Sequence, residues 1–159
     1  MSIIEFYIDT VCEDVSGFDS KYRVFNEYIK HSGDSAVIHY IMESETDKLI
    51  AYFSVLSSAL LYGDPINLNA IPAIELKMFA LDKRYQGLNL SSILLDAVIK
   101  TIQYYSDKYV GADILILYSV PVDQVIELYE SKGFQRIENT LTAFKSDFTD
   151  GCVPMFLPL

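Results

Sequence analysis

Positive charge is what this sequence has least of. Its 159 residues carry 12 Lys+Arg against 22 Asp+Glu, a formal net charge of -10 at pH 7. Such a chain is a poor generic binder of DNA, RNA or anionic membranes, because phosphate affinity is mostly cation-driven; only a local site would hold an anionic ligand. Cysteine is scarce as well. Cys12 and Cys152 belong to no CxxC or Cys/His pattern, which excludes a disulfide scaffold and predicts two inert thiols in a reduced, cytoplasmic setting. His31 and His39 cannot share a helical turn and no carboxylate motif joins them, so no metal is expected. Long apolar runs are missing: ILIL at 114–117 falls far short of the roughly 20 residues that span a bilayer. The opening MSIIEFYIDT has no basic stretch and places Glu5 and Asp9 among its apolar residues, which reads against a signal peptide. Repeats, low-complexity segments and Pro/Ser-rich linkers are absent too, so the expected organisation is one domain over 1–159.

What is present suits a globular α/β protein. Hydrophobic residues make up 51%, enough for a domain of this length to bury roughly two thirds of its unfolded surface. IIEFYID (3–9) alternates as a first strand. Tyr22, Phe25, Tyr28 and Ile29 recur at helical spacing and predict a helix over 19–31, ended by the turn residues Ser32, Gly33 and Asp34. AVIHYIM (36–42) and KLIAYFSVL (48–56) flank a polar ESETD and predict an antiparallel hairpin whose acidic tip, Glu43, Glu45 and Asp47, is solvated. Residues 57–70, with Gly63, Pro65 and two asparagines, read as an irregular insertion before a strand at 73–81. A long helix is expected over 89–108, its Tyr104, Tyr105 and Tyr109 forming a buried and boundary face rather than a stacking platform. A strand at 112–120, a helix at 122–132 and strands at 134–137 and 153–157 complete the pattern. The strand–helix–strand order in this half makes part of the sheet parallel.

The most informative stretch is LDKRYQGLNLSSILLDAVI, from Leu81 to Ile99. A strand enters a short polar loop and a long helix leaves it. That geometry aims unpaired backbone N–H groups and the positive end of a helix dipole at one point, a natural seat for a phosphate or pyrophosphate. Asn89 and Ser91 suit N-cap positions, and Lys83 and Arg84 form an adjacent basic pair.

These residues resemble the GCN5-related N-acetyltransferases (GNATs), whose acetyl-CoA loop is commonly Q/R-x-x-G-x-G/A. Gln86, Gly87, Leu88, Asn89, Leu90 and Ser91 fall in register with it, with Asn89 at the first glycine position and Ser91 at the Gly/Ala position. Asparagine is the non-glycine residue that best tolerates left-handed backbone, so the loop keeps its shape, but its side chain crowds the pyrophosphate. IELKMFAL is similar to the family's fourth strand, ELYESKGF to its Y-x-x-x-GF ending, and MFLPL to the last strand of a branch that includes toxin-type acetyltransferases of aminoacyl-tRNA. An asparagine often found seven residues before that tyrosine is Val122 here. The resemblance implies a GNAT fold: a mixed, mostly antiparallel central sheet, splayed between strands 4 and 5 and flanked by helices. It also implies acetyl-CoA as cosubstrate, no metal, and an assembly that can be a homodimer. Phe79, Ala80 and Leu81 would line the pantetheine arm, and Gln86 to Ser91 would hold the pyrophosphate. Tyr129 would protonate the departing thiolate.

Acetyl transfer to an amine needs the neutral amine, so a carboxylate or water chain must take its proton. Glu75 is the candidate base; its alternative is a strand glutamate paired with Lys77. A backbone N–H near Phe79–Leu81 can stabilise the charge that develops on the thioester oxygen. The leading reading is transfer of an acetyl group to a primary amine, small-molecule or peptide, by direct attack. Two alternatives stand beside it. One is a toxin-type aminoacyl-tRNA acetyltransferase, against which the charge argues. The other is a non-catalytic acyl-CoA-binding or interaction module with a degenerate loop.

Overall fold

In the computed structural model, residues 4–31, 33–64, 66–138 and 151–159 are described. The readings that rest on Ile3, Ser32 and Pro65 lie outside them. The element order is β1 (Phe6–Asp9), α1 (Arg23–His31), β2 (Val37–Glu43), β3 (Leu49–Gly63), β4 (Leu68–Leu81), a 3-10 turn (Lys83–Tyr85), α2 (Leu90–Lys108), β5 (Ile114–Ser119), α3 (Asp123–Ser131), β6 (Gln135–Arg136) and β7 (Val153–Pro158). The strands form one sheet in the order β1-β2-β3-β4-β5-β7-β6. Among the described residues β4 and β5 are the one parallel pair, joined through α2 as the strand–helix–strand pattern requires. Their ladder pairs Ala73 with Ile114 through Leu76 with Leu117, and both strands continue past its end.

The chain divides into two compact units, one of Met1–Leu56 with Lys77–Leu95 and the other of Ser57–Leu76 with Asp96–Leu159. The first has its core around Tyr52, fully buried, whose ring meets Phe18 edge-on at 5.3 Å and stacks on Tyr28 at 6.1 Å. Its hydroxyl donates to Phe25 O at 2.7 Å, which ties α1 to β3. Ile29, Met42, Leu49, Met78 and Ala80 complete this cluster. The second unit packs Leu60 and Ala73 with Ile114 and Ile116, beside β7 paired antiparallel to β5.

Three sequence expectations need correction. Residues 57–70 are not an irregular insertion: β3 runs to Gly63 and β4 starts at Leu68, and Asp64 accepts from Ile66 N and Asn67 N at the turn. Ser57, Ser58 and Ala59 are weak strand formers, and neighbouring strands override that preference. Gly63 (φ 106°) cannot be replaced freely, since a Cβ there would sit 2.3 Å from Asn67 O. Helix α1 starts at Arg23 rather than 19, because Lys21 is left-handed (φ 74°) and Ser20 and Asn26 bond each other across the turn. The three tyrosines of α2 do pack together, with ring centroids 5.8 to 6.4 Å apart, but Tyr104 is 51% and Tyr109 71% exposed, so they form a surface cluster instead of a buried face.

Candidate functional site

In the first unit β4 ends at Leu81 and Asp82 turns the chain. Along β4, Glu75, Lys77, Phe79 and Leu81 are half-buried while Leu76, Met78 and Ala80 are buried, the period of two that a strand imposes. Of the three expected pantetheine residues, Phe79 and Leu81 therefore share one face. The Ala80 side chain lies in the opposite core, leaving its backbone as the only group to offer.

Asp82 is 1% exposed and caps the 3-10 turn, accepting from Arg84 N at 3.0 Å and Arg84 Nε at 2.8 Å. It also accepts from Asp19 N at 3.1 Å. Burial pushes its carboxyl up, but these donors outweigh that and hold it below the ordinary carboxylate range. Lys83 is likewise engaged: its Nζ pairs with Asp19 at 2.9 Å, which with the Lys21 and Asn26 donors lowers the Asp19 carboxyl to about 2. The basic pair singled out in the sequence thus serves two carboxylates.

Gln86 closes the turn, and its side-chain amide donates to Ser20 O at 3.0 Å and Leu81 O at 2.9 Å. Gly87 (φ 80°) and Asn89 (φ 57°) are both left-handed, so Asn89 supplies the conformation expected of it. It is not an N-cap, which needs extended backbone, and Ser91 already lies within α2. Gly87, Leu88 and Asn89 are exposed while Leu90 anchors the helix start in the core. The first N–H groups of α2 have no intrahelical acceptor.

Glu75 and Tyr129 belong to the second unit. Lys77 is not the partner of Glu75: it forms a short ion pair with Asp34 and lies 5.8 Å from the Tyr28 ring centroid. The Glu75 charge instead reaches Tyr118, whose phenol is raised by burial and by that carboxylate. Tyr129 lies in the last turn of α3, 9% exposed, its ring edge-on to Phe134 at 5.6 Å. Among the described residues its hydroxyl has no hydrogen-bond partner, and burial raises it to about 12. The hydroxyl is not among the fully enclosed polar atoms without a partner, so solvent reaches it at the edge of the buried ring. Val122, at the helix start, provides no side-chain cap.

Asp19, Ser20 and Asp82 went unnoticed in the sequence. Asp82 and Asp19 each have a local signal, an aspartate two residues before an amide it accepts from, but the bonds that join them to each other and to Lys83 span more than 60 residues. Among the described residues no three His, Cys, Asp or Glu side chains are grouped to hold a metal ion. Nor, among the described residues, is any helix long and apolar enough to cross a membrane.

No protein-family model matches the chain, and no curated protein matches it in sequence. Solved structures do. A bacterial toxin is 18% identical with TM-score 0.74, over 98% of this chain and 92% of that one. The toxin AtaT complexed with acetyl-methionyl-tRNAfMet is 16% identical with TM-score 0.72, over 97% and 95%. An AtaT mutant bound to the C-terminus of the antitoxin AtaR and acetyl-CoA is 14% identical with TM-score 0.71, over 96% and 92%. At these identities it is the fold that is shared: the chain has the mixed α/β fold of these toxin structures, the GNAT fold that the sequence resemblance implied.

Proposed function

We propose that the chain is an acetyl-CoA-dependent N-acetyltransferase of the toxin type, with the α-amine of an aminoacyl-tRNA as acceptor. The observation that carries the enzymatic reading is Tyr129, a buried phenol whose hydroxyl has no partner among the described residues. Acetyl-CoA fits the loop residues present: two left-handed positions in an exposed turn that opens onto the start of a long helix. Bound there, it would supply an activated acetyl thioester. Gly87 to Ser91 would hold its pyrophosphate through backbone N–H groups, and Phe79 and Leu81 would line its pantetheine arm. Tyr129 would donate a hydrogen bond to the leaving sulfur.

A neighbouring complex and amine chemistry support this choice of acceptor. AtaT is the neighbour solved with an acetylated aminoacyl-tRNA. An α-amine of pKa about 8 is about one-tenth neutral at pH 7, whereas a lysine amine is about 0.04% neutral. A site whose candidate base is one half-buried glutamate suits the former better. Glu75 would take the proton as the amine attacks. An antitoxin-like protein partner belongs to this reading, as does a cytoplasmic location. The second reading, a small-molecule amine acceptor, is favoured by the net charge of -10.

The test is incubation with labelled acetyl-CoA and total aminoacyl-tRNA, followed by release and mass analysis of the amino acids. N-acetylated amino acids are expected. Acetyl-CoA binding with transfer only to small amines would establish the second reading, and acetyl-CoA binding without any transfer would leave a non-catalytic module.

A further inference from the structure

We propose that Asp82 is a positioning residue for the acetyl-CoA loop: its buried carboxylate bolts that loop to the segment ahead of α1. The inference rests on the reading of residues 86–91 as a pyrophosphate seat. Four bonds make the junction. Asp19 N donates to Asp82 at 3.1 Å, Lys83 N to Asp19 O at 2.7 Å, Lys83 Nζ pairs with Asp19 at 2.9 Å, and Gln86 Nε2 donates to Ser20 O at 3.0 Å. Asp82 is the buried member, and its own N–H donates to Ile50 O at 2.8 Å, so β3 fixes it from behind.

A loop that grips an anion with backbone N–H groups needs them held in place before the anion arrives, since each misaimed donor is a lost charge-assisted bond. Gly87 has backbone freedom on both sides of φ 0°, Asn89 stands at φ 57°, and a Cβ at Gly87 would meet nothing within 4 Å, so neighbouring side chains do not hold this turn. Their geometry must be imposed from outside the loop. Asp82 imposes it from one end by ordering the Lys83–Tyr85 turn, and Gln86 passes the constraint on. Lys83 and Arg84, being committed to Asp19 and Asp82, act on the loop through this framework rather than as phosphate ligands.

The test compares the wild-type chain with Asp82→Asn and Arg84→Met by calorimetric titration with acetyl-CoA and by amide hydrogen exchange. Asparagine turns one acceptor oxygen into a donor facing donors, and acetyl-CoA affinity should fall about tenfold or more. Arg84→Met deletes a half-exposed guanidinium and should weaken binding about threefold. In both variants the amides of residues 87–92 should exchange faster while those of β2 and β5 keep their protection. Wild-type affinity in both variants, with the wild-type chain binding acetyl-CoA, would overturn this inference alone. Protection lost in β2 and β5 along with affinity would reduce Asp82 to a folding residue and overturn it too. If Asp82→Asn does not fold, the Arg84→Met result decides. No acetyl-CoA binding by the wild-type chain would overturn the loop reading and this inference with it.

Discussion

Replacing Tyr129 by phenylalanine removes a hydroxyl and nothing else, and the structure lets its two consequences be separated. The ring keeps its edge-on contact with Phe134 at 5.6 Å, and the hydroxyl leaves no partner behind. The hydroxyl is not fully enclosed, so solvent can satisfy it and its loss should change stability by no more than about 0.5 kcal/mol. At this chain length that is a change in Tm of about 1–2 °C at most. Turnover should behave differently. A phenol held at about 12 is a weaker acid than a thiol of pKa about 8.5, so in the proposed reaction Tyr129 would keep its proton and stabilise the leaving sulfur by hydrogen bonding. Removing one such donor costs about a hundredfold, or about 2.7 kcal/mol of barrier. Single-turnover acetyl transfer, a thermal melt and an acetyl-CoA titration check the three terms. Unchanged turnover, or a Tm lowered by several degrees, would refute the assignment. The pH profile adds a sign: with Tyr129 protonated throughout, activity should rise with pH as the acceptor amine deprotonates and show no falling limb near pH 10. A falling limb there would mean the phenol titrates at its ordinary value.

Three further outcomes follow from the geometry. Glu75→Gln should lower transfer most at pH 7 and progressively less as the acceptor amine loses its proton unaided; an equal loss at every pH would remove Glu75 as the base. Asn89→Gly should stabilise the fold by up to about 1 kcal/mol, because φ 57° costs a non-glycine residue, and should tighten acetyl-CoA if the side chain crowds it; weaker binding by calorimetry would show asparagine to be part of the seat. Asp19, lowered to about 2, contributes stability that is present above pH 4 and lost as pH falls through 2. In Asp19→Asn the acid melting curve should flatten over that interval, and an unchanged curve would mean the Lys83 pair carries no net stability.

Much of this protein is legible in one dimension. The period-two run over 73–81, the polar loop with Gly87 and the long apolar helical repeat are local patterns, set by residues within a few positions of one another. They suffice for the parallel β4–β5 pairing and for the GNAT resemblance. The length of the β3–β4 hairpin is not, because Ser57 to Ala59 become strand only through the neighbours they pair with. Nor is the fate of the aromatic residues: helical spacing puts Tyr104, Tyr105 and Tyr109 near one another, but which face meets the core depends on what packs against α2.

The sequence by itself determined the order and type of most elements, the acidic charge and the place of the loop, since each rests on local backbone preference and composition. Tertiary structure decided which carboxylates answer Lys83 and Arg84, that Lys77 serves Asp34, and that Tyr129 packs edge-on against Phe134 at the end of α3. Those outcomes join groups far apart in sequence, and no local rule carries the free energy of a contact whose two halves meet only when the sheet has formed.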